Sequence, residues 1–150
     1  PTSPEKVLHN FETAIRAKSI QDYLDVFSED FAFAPDPTDS VAYEQYFRSR
    51  WNKESEGAFA LNFFQQAQQD SLFSLELTTY APSVYQPGEE MYLYHYLLSY
   101  GRAGEKTEVY GMAYLYFREN DEGKWSIYLW ADDRVLQNSP TWGVIRTQYL

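Results

Sequence analysis

Residues 91–117, MYLYHYLLSYGRAGEKTEVYGMAYLYF, contain two runs in which residue types alternate one by one, joined by the short link Arg102-Ala103-Gly104. A period of two means extended chain with side chains on opposite faces, and a glycine closing a short link marks a hairpin. The same grammar recurs at Asp121-Glu122-Gly123. Strands are therefore expected over roughly 71–80, 90–101, 106–118 and 124–134, in one antiparallel sheet.

Both links place Gly third, which fits three-residue hairpin loops ending in a left-handed residue. On that reading Gly101 pairs with Glu105 and Asn120 with Lys124, and the register sorts side chains onto two faces. An aliphatic face of Met91, Leu93, Leu97, Val109, Ala113, Leu115, Phe117, Ile127, Leu129 and Ala131 is expected beneath helices. The other face carries Tyr92, Tyr94, Tyr96, Tyr100, Tyr110, Tyr114, Tyr116, Tyr128 and Trp130. Large rings with polar tips suit an interface, so a homodimer or larger oligomer through this face is expected. The alternative is that loops and the last helix cover those rings within one chain.

The same register sets His95, Gly111 and Asp133 side by side on the core face, with glycine leaving a gap between two polar groups. A carboxylate orienting an imidazole is the usual general-base arrangement, which makes His95 and Asp133 the catalytic candidates and Gly111 the floor of a ligand site. The structural alternative is a hydrogen-bonded core histidine and a solvated strand-end acid. Asp132 with Trp130 forms a rival carboxylate-aromatic pair. Arg50 beside Trp51 offers a clamp for a carboxylate ligand with one aromatic wall, against the plainer reading of packing with a snorkelled charge.

Upstream of the sheet the period is helical. Ser3-Pro4 reads as an N-cap followed by proline at the first helical position, with Val7, Leu8, Phe11, Ala14 and Ile15 on one stripe. Ser19 with Asp22 resembles a capping box for a second short helix carrying Ile20, Tyr23, Leu24 and Phe27. Phe31 and Phe33 suggest a short strand ended by Pro35 and Pro37. A third helix is expected from Asp39 or Ser40 through Trp51, a break over Lys53 to Gly57, and a fourth helix over about 58–69. Ser139-Pro140-Thr141-Trp142 opens a last short helix ending at Tyr149.

Composition narrows the function classes. The 150 residues fit one domain spanning 1–150, and the absence of cysteine excludes disulfides, thiolate metal sites and cysteine nucleophiles. A net charge of -10 repels phosphate backbones and anionic surfaces, so nucleic acid is not expected as a partner. The apolar stretches Met91 to Leu98 and Gly111 to Phe117 fall short of the ~20 residues of a membrane helix. Phosphate loops, dinucleotide fingerprints and zinc-protease or serine-elbow motifs are missing, so no cofactor or metal is assigned. The 28 rings among 150 residues (14 Tyr, 10 Phe and 4 Trp) exceed what one core of this size needs, which points to a pocket or an interface.

The segments Pro4-Glu5-Lys6-Val7-Leu8-His9-Asn10-Phe11, Tyr23-Leu24-Asp25-Val26-Phe27-Ser28-Glu29-Asp30-Phe31, Trp125-Ser126-Ile127 to Trp130-Ala131-Asp132, and Pro140-Thr141-Trp142-Gly143 give the chain a layout. That layout resembles the nuclear-transport-factor-2-like (SnoaL-like) superfamily, including uncharacterised bacterial lipoprotein-like members. The resemblance implies a cone-shaped α+β fold, with helices capping a strongly curved sheet around an apolar pocket. It also implies dimerisation through the outer sheet face and, in enzymes, an acid or His-Asp pair inside the cone. Three readings follow: a module binding a small apolar ligand near Trp51, Arg50 and Gly111; a cofactor-independent lyase or isomerase using His95 and Asp133; and a structural or protein-interaction module. The opening without Met, together with the acidity, suggests a bacterial extracytoplasmic setting with a processed signal or lipid anchor.

Overall fold

The computed structural model describes residues 1–68, 72–79, 83–102 and 104–149. Helix α1 (Pro4–Ala17) starts where the Ser3 hydroxyl accepts the Lys6 N–H and ends at Lys18, whose φ of 54° is left-handed. Helix α2 (Ile20–Asp25) is capped by Ser19 in the same way, through the Asp22 N–H. The Phe31 and Phe33 stretch is a full strand, β1 (Phe27–Ala34). The expected third helix divides into α3 (Pro37–Ala42), capped by Asp36, and α4 (Glu44–Phe47), and Trp51 falls in the two-residue strand β2 (Trp51–Asn52).

The break expected over Lys53 to Gly57 is instead the first turn of α5 (Lys53–Ala67), because Asn52 accepts the Ser55 N–H and starts the helix five residues early. That shift matters, since it places Glu56 on the buried stripe with Phe59, Ala60, Phe63 and Phe64. The strands follow as β3 (Leu72–Thr79), β4 (Ser83–Gln86), β5 (Glu89–Arg102), β6 (Glu105–Glu119) and β7 (Trp125–Asp133), before helix α6 (Trp142–Gln148). The predicted limits at 69, 71 and 80 lie outside the described residues. Strand β4 carried no separate expectation. No described helix is long and apolar enough to cross a membrane.

The fold is α+β, with the helices packed on one open sheet of order β2-β1-β7-β6-β5-β3, and β4 beside β5. Among the described residues its one departure from an antiparallel sheet is the parallel pair β1 and β7, made possible because the long crossover through α3 to β6 separates them.

The register differs from the expected one in two places, each with a local cause. Arg102, not Gly101, pairs with Glu105, so the link is two residues; Ala103 within it lies outside the described residues. Gly101 absorbs the irregularity at φ 131°, where a Cβ would lie 2.3 Å from the Glu105 carbonyl. Every β5 side chain is thereby turned over. At the second hairpin the expected pairing holds: the Asn120 N–H reaches the Lys124 carbonyl and Gly123 takes φ 76°. A bulge between Ile127 and Leu129 then turns over the rest of β7.

The interior face therefore reads Tyr92, Tyr94, Tyr96 and Leu98 on β5, Val109, Gly111, Ala113, Leu115 and Phe117 on β6, and Ile127, Trp130 and Asp132 on β7, all buried. Tyr92, Tyr94, Tyr96, Tyr100 and Trp130 belong to the core and not to an outer aromatic face. Met91, Leu93, His95, Leu97, Leu129, Ala131 and Asp133 take the outer face with Tyr110, Met112, Tyr114 and Tyr116, and all are half-buried.

Candidate functional site

The cone interior is a wall of aromatic side chains crossed by two buried polar groupings. The first is centred on Gly111. A Cβ there would lie 2.5 Å from the Tyr96 hydroxyl oxygen, so only glycine lets the Tyr96 ring lie across β6 toward β7. Tyr96 Oη then donates to Asp132 Oδ1 at 2.8 Å and accepts the Trp142 N–H at 2.9 Å. The other carboxylate oxygen, Asp132 Oδ2, accepts the Gly143 N–H at 3.1 Å. Thus α6 is seated on the sheet through two backbone N–H groups at its start. Burial pushes the Asp132 carboxyl up to about 7, against the pull of Arg146, the Tyr96 hydroxyl and the Gly143 N–H. Burial, followed by the Asp132 charge, raises the Tyr96 phenol well above its ordinary value.

The second grouping is an ion pair with no exposure. Arg146 of α6 donates through Nε and Nη2 to the two oxygens of Glu56, at 2.9 Å each. Glu56 also accepts from the Tyr23 hydroxyl and from Trp51 Nε1, at 2.7 Å each, so its carboxylate is fully satisfied. The guanidinium lies 3.8 Å from the Phe33 ring centre and 4.3 Å from that of Trp130. Burial pulls the guanidinium down, and the Glu56 charge more than offsets it, leaving Arg146 above its ordinary value.

The residues singled out from sequence separate. Trp51 is inside, 3% exposed, and donates to Glu56, whereas Arg50 is outside and donates to the Asp30 carbonyl at 3.1 Å. Between them an outer hollow of about 360 Å³ is bordered by Tyr46, Ser49 and Asn52. Gly111 is inside, beneath Tyr96.

His95 and Asp133 are on the outer face, in one cross-strand row with Met112 between them. The His95 ring stacks on Tyr110, with centres 6.2 Å apart. Burial raises the Asp133 carboxyl, helped by its hydrogen bond and charge contact with Asp36. Asp36 itself is held below its ordinary value: burial works against this, but the N–H groups of Arg134 and Thr38 prevail, each donating to it at 2.8 Å. Among the described residues no three His, Asp or Glu side chains gather to hold a metal ion.

Two polar groups do meet above Gly111, as the glycine gap suggested, but they are Tyr96 and Asp132. The Glu56–Arg146 pair was not anticipated. Its signal was one charge on each of two otherwise apolar helical stripes, Glu56 three residues before Phe59 and Arg146 four after Trp142.

Helices packed on one open, mixed sheet with a short C-terminal helix are the arrangement of the nuclear-transport-factor-2-like cone fold, and this chain has that fold. Among solved structures it is similar to a candidate scytalone dehydratase from Novosphingobium aromaticivorans, with TM-score 0.67, 11% identity, and 93% of this chain and 90% of that one covered. A ketosteroid isomerase-like protein from Erwinia carotovora atroseptica matches with TM-score 0.61 and 10% identity over 88% and 93% of the two chains. A nuclear-transport-factor-2-like protein from Cytophaga hutchinsonii gives 0.63 and 10% over 87% and 93%. No protein-family model and no curated protein matches the chain. At these identities the likeness is one of fold.

Proposed function

We propose that this domain is an assembly module that joins a second copy of itself through the outer face of β5, β6 and β7. The observation that carries this reading is the make-up of that face. Met91, Leu93, Leu97, Tyr114 and Leu129 form its middle with Met112, whose cross-strand neighbours are His95 and Asp133; Glu89 and Arg118 stand at one end, and Glu76 of β3 borders Leu97. Interface centres are depleted of charge and rich in Met and Tyr. A second copy brings the same largely apolar face, and its burial has to outweigh the repulsion between two chains of net charge -10. The packed interior supports the reading as well, because the side chains that would line a cavity are occupied with one another. Light scattering at micromolar concentration is expected to give a dimer, and Met112→Glu a folded monomer. A wild-type monomer overturns the proposal.

A second reading, a small apolar ligand in the cone with proton transfer as its chemistry, draws on the Tyr96–Asp132 pair in its aromatic chamber. It would be cofactor-independent lyase or isomerase chemistry, in keeping with the names of two of the fold neighbours, and carried by Asp132 in place of His95 and Asp133. Native mass spectrometry of gently purified protein separates the readings: a retained small molecule that Asp132→Asn releases favours the second, and a ligand-free dimer the first.

A further inference from the structure

Helix α6 places one cation between two buried acids. The Arg146 guanidinium is committed to Glu56 of α5 by two hydrogen bonds, yet it also acts on Asp132 of β7. Around Asp132 the hydrogen-bond donors are neutral: the Tyr96 hydroxyl from β5 and the Gly143 N–H from α6. Tyr23 of α2 faces Glu56, and among the described residues no second cation joins this set. With Asp132 protonated the cluster is neutral; with Asp132 ionised it carries one uncompensated negative charge in a dry interior.

Two groups of α6, the Gly143 N–H and the Arg146 guanidinium, favour the ionised form of Asp132, but burial outweighs them, and that burial ends if α6 leaves. Residues 141–147 are all buried, but the link before them is open to solvent, with Val135 41% and Leu136 52% exposed. The segment is fastened at its start by Trp142 and Gly143, whose N–H groups go to Tyr96 and to Asp132 itself. Thr141, its cap, is tied to Asp39, which also takes Arg134.

We propose that α6 is a proton-gated plug, which fills the cone while Asp132 holds a proton and opens it more often once that proton is lost. In the open form Asp132 meets water and returns toward an ordinary carboxylate value near 3.9. A closed-state value of about 7 then shifts the opening equilibrium by roughly 80-fold between pH 5 and pH 8, toward opening as pH rises.

The experiment is native-state hydrogen exchange on the full chain at pH 5 and pH 8, corrected for intrinsic exchange rates and repeated at low urea concentrations. The α6 amides are expected to exchange through a local opening insensitive to low urea and roughly 80-fold more frequent at pH 8. In Asp132→Asn this pH dependence should vanish. Should that variant fail to fold, Tyr96→Phe, which removes a hydrogen bond to the ionised form, should move the midpoint to higher pH. Exchange of α6 that follows urea in step with the β6 amides means that it leaves only on global unfolding, and overturns the plug. Opening that does not change with pH overturns the gate.

Discussion

Gly111 shows how one missing side chain organises the interior. The Tyr96 ring occupies the space of a β carbon, and with it come the Asp132 hydrogen bond and a seat for Trp142. Gly111→Ala is expected to destabilise the domain by about 1–3 kcal/mol, because the new carbon would press on the Tyr96 ring and would also lie 3.0 Å from the Asp133 carbonyl oxygen. Chemical denaturation measures this, and the near-ultraviolet circular dichroism of the interior rings should weaken with it. Arg146 acts at the same scale in the opposite sense, as a residue whose removal leaves something behind. Glu56 retains Tyr23 and Trp51 as donors but loses its only counter-charge, so Arg146→Met should cost about 3–5 kcal/mol, whereas replacing both partners with apolar residues should cost much less. A double-mutant cycle with Glu56→Leu distinguishes the two outcomes. A change no larger than that of an exposed pair such as Arg48 and Glu44 would contradict the buried role given to Arg146.

Among the elements, β7 is decided by its bulge. Up to Ile127 its inward positions follow the hairpin at Gly123; beyond it, Trp130 and Asp132 point inward only because one extra residue intervenes. Deleting Tyr128 should restore an unbroken ladder that keeps Leu129 opposite Tyr116, Trp130 opposite Leu115 and Asp132 opposite Ala113, so both side chains stay inward and the thermal melt stays cooperative. Loss of cooperative unfolding in that variant would show that the bulge is needed for more than register. Helix α5 makes the complementary point: its start depends on the Asn52 side chain, and moving that start to residue 58 would remove Glu56 from the core stripe. The helices were legible from Ser3, Ser19 and the apolar stripes, since caps and 3.6-residue spacing are local facts. The faces of β5 and β7 were not, because alternation states that two faces exist without saying which is inside. In this chain tyrosine took the inward positions on β5, with its hydroxyls satisfied by Glu5, Asp132 and the backbone of α6.

For the whole molecule, the buried acid makes stability a function of pH. Asp132 binds its proton more tightly folded than unfolded, so its contribution is fully present below about pH 4, declines as pH rises to about 7, and is level above that. Urea unfolding at pH 5 and pH 8 is expected to show the wild type losing about 2–3 kcal/mol relative to Asp132→Asn across that interval. Equal losses in the two proteins would place the titration elsewhere. The proposed pairing through the outer face belongs to this scale as well, since two chains of net charge -10 would have to meet there.

By itself the sequence determined the α+β class, helices α1, α2 and α6, the long strands and their order, because capping, periodicity and turn chemistry act over a few residues; the divided third helix, the early start of α5 and strands β2 and β4 were not legible in it. Only the tertiary structure decided which polar groups meet. A hairpin closing one residue earlier than its glycines suggested and a single bulge in β7 turned His95 and Asp133 outward, and brought Tyr96 and Asp132 together above Gly111. A strand has a period of two, so a one-residue shift is small along the chain and complete across the sheet. The Glu56–Arg146 pair, ninety residues apart, formed because two apolar helical stripes each carried one charge into the same dry space, where neither charge is tolerable without the other.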